Sequence, residues 1–124
     1  MNKKGLGNRG EKAAAAYLEQ KGYAILERQY RTPIGEIDLI ARDGETLAFV
    51  EVKTRRSARY GAPSAAVGRE KQRHIIRSAQ WYMMEKQRQG EVPPCRFDVI
   101  EVYASPSGAW NVRHLENAFE TEGL

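Results

Sequence analysis

The stretch EIDLIARDGETLAFVEVKT, residues 36–54, narrows the folds open to this chain more than any other. It holds two apolar, β-favouring runs, residues 36–42 and 46–54, around Asp43-Gly44, a dipeptide suited to a tight hairpin turn. The second run is the most apolar in the chain and predicts a central strand. Alternation along a strand sends Glu51 and Lys53 to one face, about 7 Å apart at their bases, and Val50 and Val52 to the other. Glu36, Asp38 and Ile40 share a face in the same way. If the hairpin pairs the two strands, Asp38 lies beside Glu51.

The rest of the chain builds around that hairpin. Residues 1–7 (MNKKGLG) read as a flexible basic start, after which Asn8 caps a helix with Glu11 as its capping-box partner. Ala13, Ala14, Tyr17 and Leu18 recur at helical spacing, and Lys21-Gly22 closes the helix. Residues 23–30 predict a first strand, and Thr32-Pro33 with Gly35 a turn. A small-residue loop over 57–68 leads to a long helix over 69–88, with Gln72, Ile75, Ile76, Ala79 and Met83 on one stripe. Gly90 and Pro93-Pro94 end it. Residues 97–103 and 109–114 predict two closing strands around a Pro106-Ser107-Gly108 turn, and the acidic tail from Glu116 is expected to be poorly ordered, with Phe119 as the residue that could dock. With no repeat and no long linker, the 124 residues make a single domain. The order αβββαββ predicts an α/β fold, a mixed central sheet flanked by helices.

Composition removes several classes of function. The net charge of +4 and pI of about 9.3 permit a polyanionic partner without demanding one. Cys95 is the sole cysteine, which excludes an intramolecular disulfide and a zinc cluster and suits a reducing compartment. No apolar run reaches the roughly 18 residues of a membrane span, and no apolar segment follows the basic start. We therefore expect a cytoplasmic protein with no membrane partner. Gly5-Leu-Gly7-Asn-Arg-Gly10 spells a dinucleotide-binding pattern, but only four residues precede Gly5, too few for the strand that motif requires. His74 and His114 stand alone without metal-ligand spacing, no G-x-S-x-G is present, and Trp81 and Trp110 read as core or packing residues and not as base-stacking platforms.

What remains is the charged group on the hairpin. Carboxylates gathered on an apolar sheet repel one another and need a cation. Lys53 supplies one charge; a divalent ion would supply two. Mg²⁺ favours one or two carboxylates plus water and phosphate oxygens, an inventory that Asp38 and Glu51 match, and Mn²⁺ shares that preference. Such a metal acidifies a bound water and neutralises charge on a phosphate, while a lysine orients or deprotonates the water. The set suits hydrolysis of a phosphodiester. The plain alternative is an exposed Glu/Lys pair on a strand face, which Phe49, Val50 and Val52 argue against. For Glu11 the residues by themselves favour the capping-box contact, and for Gln72 a boundary amide.

The order NRGEKAAAAYL, GEIDLIARDGETLAFVEVKTR, REKQRHIIRSAQWY, RFDVIEV resembles the YraN-like small bacterial proteins. Those belong to the restriction-endonuclease-like PD-(D/E)XK nuclease superfamily and are related to Holliday-junction resolvases. The resemblance runs from about Asn8 to Phe119. It implies a restriction-endonuclease-like sheet and a catalytic set of Glu11, Asp38, Glu51, Lys53 and Gln72. Asp38 and Glu51 would bind Mg²⁺ (or Mn²⁺), Lys53 would serve the attacking water, and Gln72 would support the site. Ile37 stands where the superfamily motif has proline. The expected activity is a Mg²⁺-dependent endonuclease, with branched DNA as substrate on the resolvase likeness alone and a homodimer conceivable because a resolvase cuts two strands. The alternative is a non-catalytic nucleic-acid-binding module acting with a partner protein. Arg9, Arg55, Arg56, Arg59, Lys71 and Arg73 form a basic rim suited to the phosphate backbone, of DNA rather than RNA.

Overall fold

The computed structural model describes residues 3–55, 67–86 and 93–120. Seven elements follow the order αβββαββ: α1 (Lys3–Gln20), β1 (Ala24–Arg31), β2 (Glu36–Asp43), β3 (Thr46–Arg55), α2 (Arg69–Lys86), β4 (Cys95–Ala104) and β5 (Trp110–Phe119). The five strands form one sheet in sequence order, with β3 at its centre. β3 and β4 pair in parallel and every other neighbour is antiparallel. A parallel pair needs a long connection, and the segment containing α2 supplies it. The expected α/β class and element order both hold.

The central strands carry near-continuous apolar runs because both their faces are covered. On one face, Phe49, Phe97, Val99, Ile37 and Ile40 pack under Ile75, Ile76, Ala79 and Tyr82 of α2. On the other, Leu39, Ala48, Val50, Val52, Ile100 and Val102 pack under Ala14, Ala15 and Leu18 of α1. Gly10 sets how closely α1 can lie. A methyl group there would collide with the Thr54 hydroxyl and stand 3.0 Å from Val102 Cγ2. The third glycine of the apparent dinucleotide motif is thus a packing residue. The hairpin turns at Gly44, whose φ of 62° suits glycine far better than other residues.

Three expectations are corrected. The first helix begins at Lys3, so Asn8 and Glu11 lie inside it and form no capping box. β5 continues to Phe119, through the tail expected to be poorly ordered, because Phe119 stacks on Phe97 with centroids 5.2 Å apart. Trp81 is 37% exposed, and its indole N–H donates to Glu85 Oε1 at 2.8 Å; it lies on the solvent side of α2 and not in the core. Residues 57–66 of the expected loop, with Arg56 before them, and the expected end of the second helix at 87–90 lie outside the described residues. Among the described residues no helix is long and apolar enough to cross a membrane.

Candidate active site

The site forms where the sheet opens. The β2–β3 ladder runs from Asp43↔Thr46 to Leu39↔Val50 and stops there, while β3 continues to Arg55 paired with β4. Continuing the register by one step would set Asp38 opposite Glu51. Instead Asp38 turns its carboxylate into the ladder, and Val52 N–H donates to Asp38 Oδ2 at 2.8 Å. The alternation of β2 breaks at this point, since Ile37 and Leu39 serve opposite cores. The expectation that Glu36, Asp38 and Ile40 simply share a face is corrected accordingly. Asp38 still lies beside Glu51, but in a gap between strands.

Glu51 is the most constrained group in the gap. It is 5% exposed, and Oε2 has no hydrogen-bond partner. Lys53 Nζ lies 3.8 Å from Oε1, and Lys71 Nζ, from the first turn of α2, 3.9 Å from Oε2. Both are ion-pair distances beyond hydrogen-bond reach. Burial, then the neighbouring Asp38 carboxylate, push the Glu51 carboxyl from its ordinary 4.5 up to about 8, with Lys71 and Lys53 pulling the other way.

Glu11 approaches from α1, and Asp38 acts on it as well as on Glu51. Gln29 Nε2 donates to Glu11 Oε2 at 2.8 Å and to Asn8 Oδ1 at 3.3 Å. Burial raises the Glu11 carboxyl above its ordinary 4.5 against that hydrogen bond, and Asp38 and Glu36 add to the rise. Gln29 itself has φ 49°, a left-handed conformation that few non-glycine residues adopt. The gap therefore gathers Glu11 from one helix, Lys71 from the other, and Asp38, Glu51 and Lys53 from the sheet.

Other expected residues take different places. Gln72 Nε2 donates to the Val67 carbonyl at 2.9 Å and braces the start of α2; among the described residues its side chain bonds to no carboxylate of the site. Arg55 Nε lies 3.5 Å from Glu101 Oε2, in an ion pair shared with Arg113. Lys71, expected to hold phosphate, is drawn to Glu51. Arg9 and Arg73 are exposed on their helices. Arg56 and Arg59 are outside the described residues.

Sequence reasoning missed Gln29 and Glu101. A left-handed residue in a strand has no sequence signal. Glu101 had one: VIEVY on β4 repeats the pattern of FVEVK on β3, and Glu101 sits beside Lys53 in the parallel register. His114, expected to stand alone, is 2.8 Å from Asp98 Oδ2 through Nε2. Arg96 Nε and Asn117 N–H also donate to Asp98. Burial would raise the Asp98 carboxyl, but those bonds hold it below its ordinary value. Asp98 thus ties β4 to β5 on the α1 side of the sheet.

Among the described residues, no three His, Cys, Asp or Glu side chains form a ready metal-binding group. The donors in the gap are the adjacent carboxylates of Asp38 and Glu51, the latter with an unpartnered buried oxygen, and Glu11 on the α1 side. That donor set fits a hard cation which keeps most of its waters.

The family model described as uncharacterised protein family UPF0102 matches residues 10–102. The chain belongs to the UPF0102 family. A UPF0102 protein of Symbiobacterium thermophilum is 52% identical over 115 residues, 92% of this chain and 95% of its own length. Another, from Syntrophotalea carbinolica, is 49% identical over 118 residues, 95% and 94% of the two chains. A third, from Caldicellulosiruptor saccharolyticus, is 43% identical over 120 residues, 96% of this chain and all of its own. The UPF0102 match spans every residue of the gap, from Glu11 to Lys71.

Proposed function

We propose that this UPF0102 protein is a metal-dependent endonuclease of the restriction-endonuclease-like superfamily, cleaving phosphodiester bonds in cytoplasmic DNA. The observation that carries this reading is Glu51: a buried carboxylate oxygen without a hydrogen-bond partner, beside a second carboxylate, with two lysines just out of hydrogen-bond reach. Asp38 and Glu51 would hold Mg²⁺ or Mn²⁺. When bound, the ion would acidify a water and offset charge on the phosphate.

The chain's own groups supply the rest. Lys53, 27% exposed at the mouth of the gap, orients the attacking water and takes or shares its proton. Lys71, 3.9 Å from Glu51 Oε2, would be free to meet a phosphate oxygen if a cation took its place at the carboxylate. Glu11, steered by Gln29, accepts a hydrogen bond from water on the α1 side. The Asp38–Val52 hydrogen bond keeps the two carboxylates adjacent as substrate arrives. Branched DNA is the substrate we favour, on the likeness to resolvases.

The test is cleavage of labelled branched, flap and single-stranded DNA with Mg²⁺ or Mn²⁺, beside Asp38→Ala and Lys53→Ala. Cleavage should vanish in EDTA and in Asp38→Ala, and fall by about 10²–10⁴ in Lys53→Ala. Cleavage that persists in Asp38→Ala would overturn the reading. A second reading has its own support: burial and Asp38 favour the protonated form of Glu51, and Lys53 and Lys71 already stand beside it as cations. It makes the protein a DNA-binding module acting with a partner. Salt-sensitive binding without cleavage on any substrate, unchanged in Asp38→Ala, is its signature.

A further inference from the structure

A cleft of about 330 Å³ opens beside Glu11, lined by Asn8, Glu11, Lys12, Arg28, Gln29 and Leu39. Its size lies at the lower end of ligand pockets, room for one small flat group and not for a duplex. Leu39 is a buried apolar surface, while the other lining residues are polar or charged. The Gln29 amide is oriented by its two contacts, since Glu11 accepts and only Nε2 can donate. Asn8 then has Nδ2 left as a donor and Gln29 has Oε1 left as an acceptor, neither with a protein partner among the described residues. The edge of a nucleobase is recognised by such a donor and acceptor, here supplied by two neighbouring amides. Lys12 and Arg28 line the cleft and are exposed, and each can offer a cation to a flanking phosphate, Arg28 from a 4.0 Å surface pairing with Glu19.

A second observation falls at the same place. Gln29 holds a left-handed backbone inside β1, and such outliers collect at functional sites because the surroundings must hold them there. Here the strained residue is the one that joins the cleft to Glu11, and Glu11 adjoins Asp38. Whatever fills the cleft is next to the group proposed to cut.

We propose that this cleft binds one unpaired nucleobase, placing the adjoining phosphate at the carboxylates. The proposal rests on the nucleic-acid reading above and deepens it. DNA with an unpaired nucleotide, as at branch points and gaps, becomes the preferred ligand over intact duplex.

The test is fluorescence anisotropy in EDTA, where no cleavage occurs, on three labelled duplexes: fully paired, with one bulged nucleotide, and with an abasic bulge. The bulged duplex should bind about tenfold tighter than the other two, in line with the 1–3 kcal/mol of a good amide–base contact. Asn8→Ala and Gln29→Gly should each bring binding of the bulge down to that of the abasic bulge. Glycine accepts the left-handed backbone, so Gln29→Gly removes the amide without unfolding β1, and circular dichroism would check this. Equal binding of the bulge and the abasic bulge would overturn the cleft's role and leave the nuclease reading standing. Failure to bind any of the three would overturn the cleft proposal, while the nuclease reading falls only with the cleavage test above.

Discussion

Glu51 concentrates the physical tension of the molecule in one carboxyl group. Its proton is held more tightly in the folded chain than in the unfolded one, about 8 against 4.5. The stability this contributes is therefore full below pH 4.5 and is lost as pH rises through 8. Glu51→Gln should flatten that slope: in EDTA it should match the native protein near pH 4.5 and exceed it by a few kcal/mol at pH 9, at ~1.4 kcal/mol per pH unit crossed. Urea unfolding at several pH values would show this. The same variant should have no cleavage. The two lysines should separate in kinetics. Lys53→Ala should lower kcat by about 10²–10⁴, the usual range for a general acid–base group. Lys71→Ala should act mainly on KM and reduce the salt dependence of binding by about one phosphate contact. Glu51 and Lys53 were legible in the sequence because strand alternation alone puts them together. Gln29 was not, because a left-handed φ within a strand depends on what surrounds it.

The elements matter here through how closely they approach. α1 reaches the gap only because Gly10 lets it lie against Thr54 and Val102. Gly10→Ala should cost about 1–3 kcal/mol through overpacking and should move Glu11 away from Asp38. Chemical denaturation would measure the first effect and loss of activity the second. Thr54→Ala removes the hydroxyl that collides with the new methyl, so the double variant should recover part of the stability, a coupling that a double-mutant cycle reads. α2 brings Lys71 to the other side of the gap, and Gln72 holds its first turn to Val67. Helical spacing correctly placed Ile75, Ile76 and Ala79 inward. The reading of Trp81 as a core or packing residue rests on its size and not on that spacing, and it fails because the indole lies along the surface of α2 and bonds Glu85. Sequence reasoning also started α1 five residues late, since Asn8 has the chemistry of a cap but is engaged by Gln29 instead.

Across the whole molecule, the sheet is closed by β2–β3 pairing at one end and opened by Asp38 at the other, so the site is a fault in an otherwise continuous core. A divalent ion that binds there should stabilise the folded chain by about 2.7 kcal/mol at a hundredfold excess over its Kd. Thermal melts with rising Mg²⁺ should show this as a concentration-dependent increase in Tm, absent in Asp38→Ala. The element order, the central β3, the Asp43-Gly44 hairpin and the face shared by Glu51 and Lys53 were all determined by the sequence, because period, turn chemistry and apolar patterning are local properties. Tertiary structure decided the rest. It stopped the β2–β3 ladder at Leu39 and turned Asp38 onto Val52. It brought Lys71 to Glu51 and held Gln29 in a strained backbone beside Glu11. These depend on contacts between residues far apart in the chain, and local pattern has no term for them.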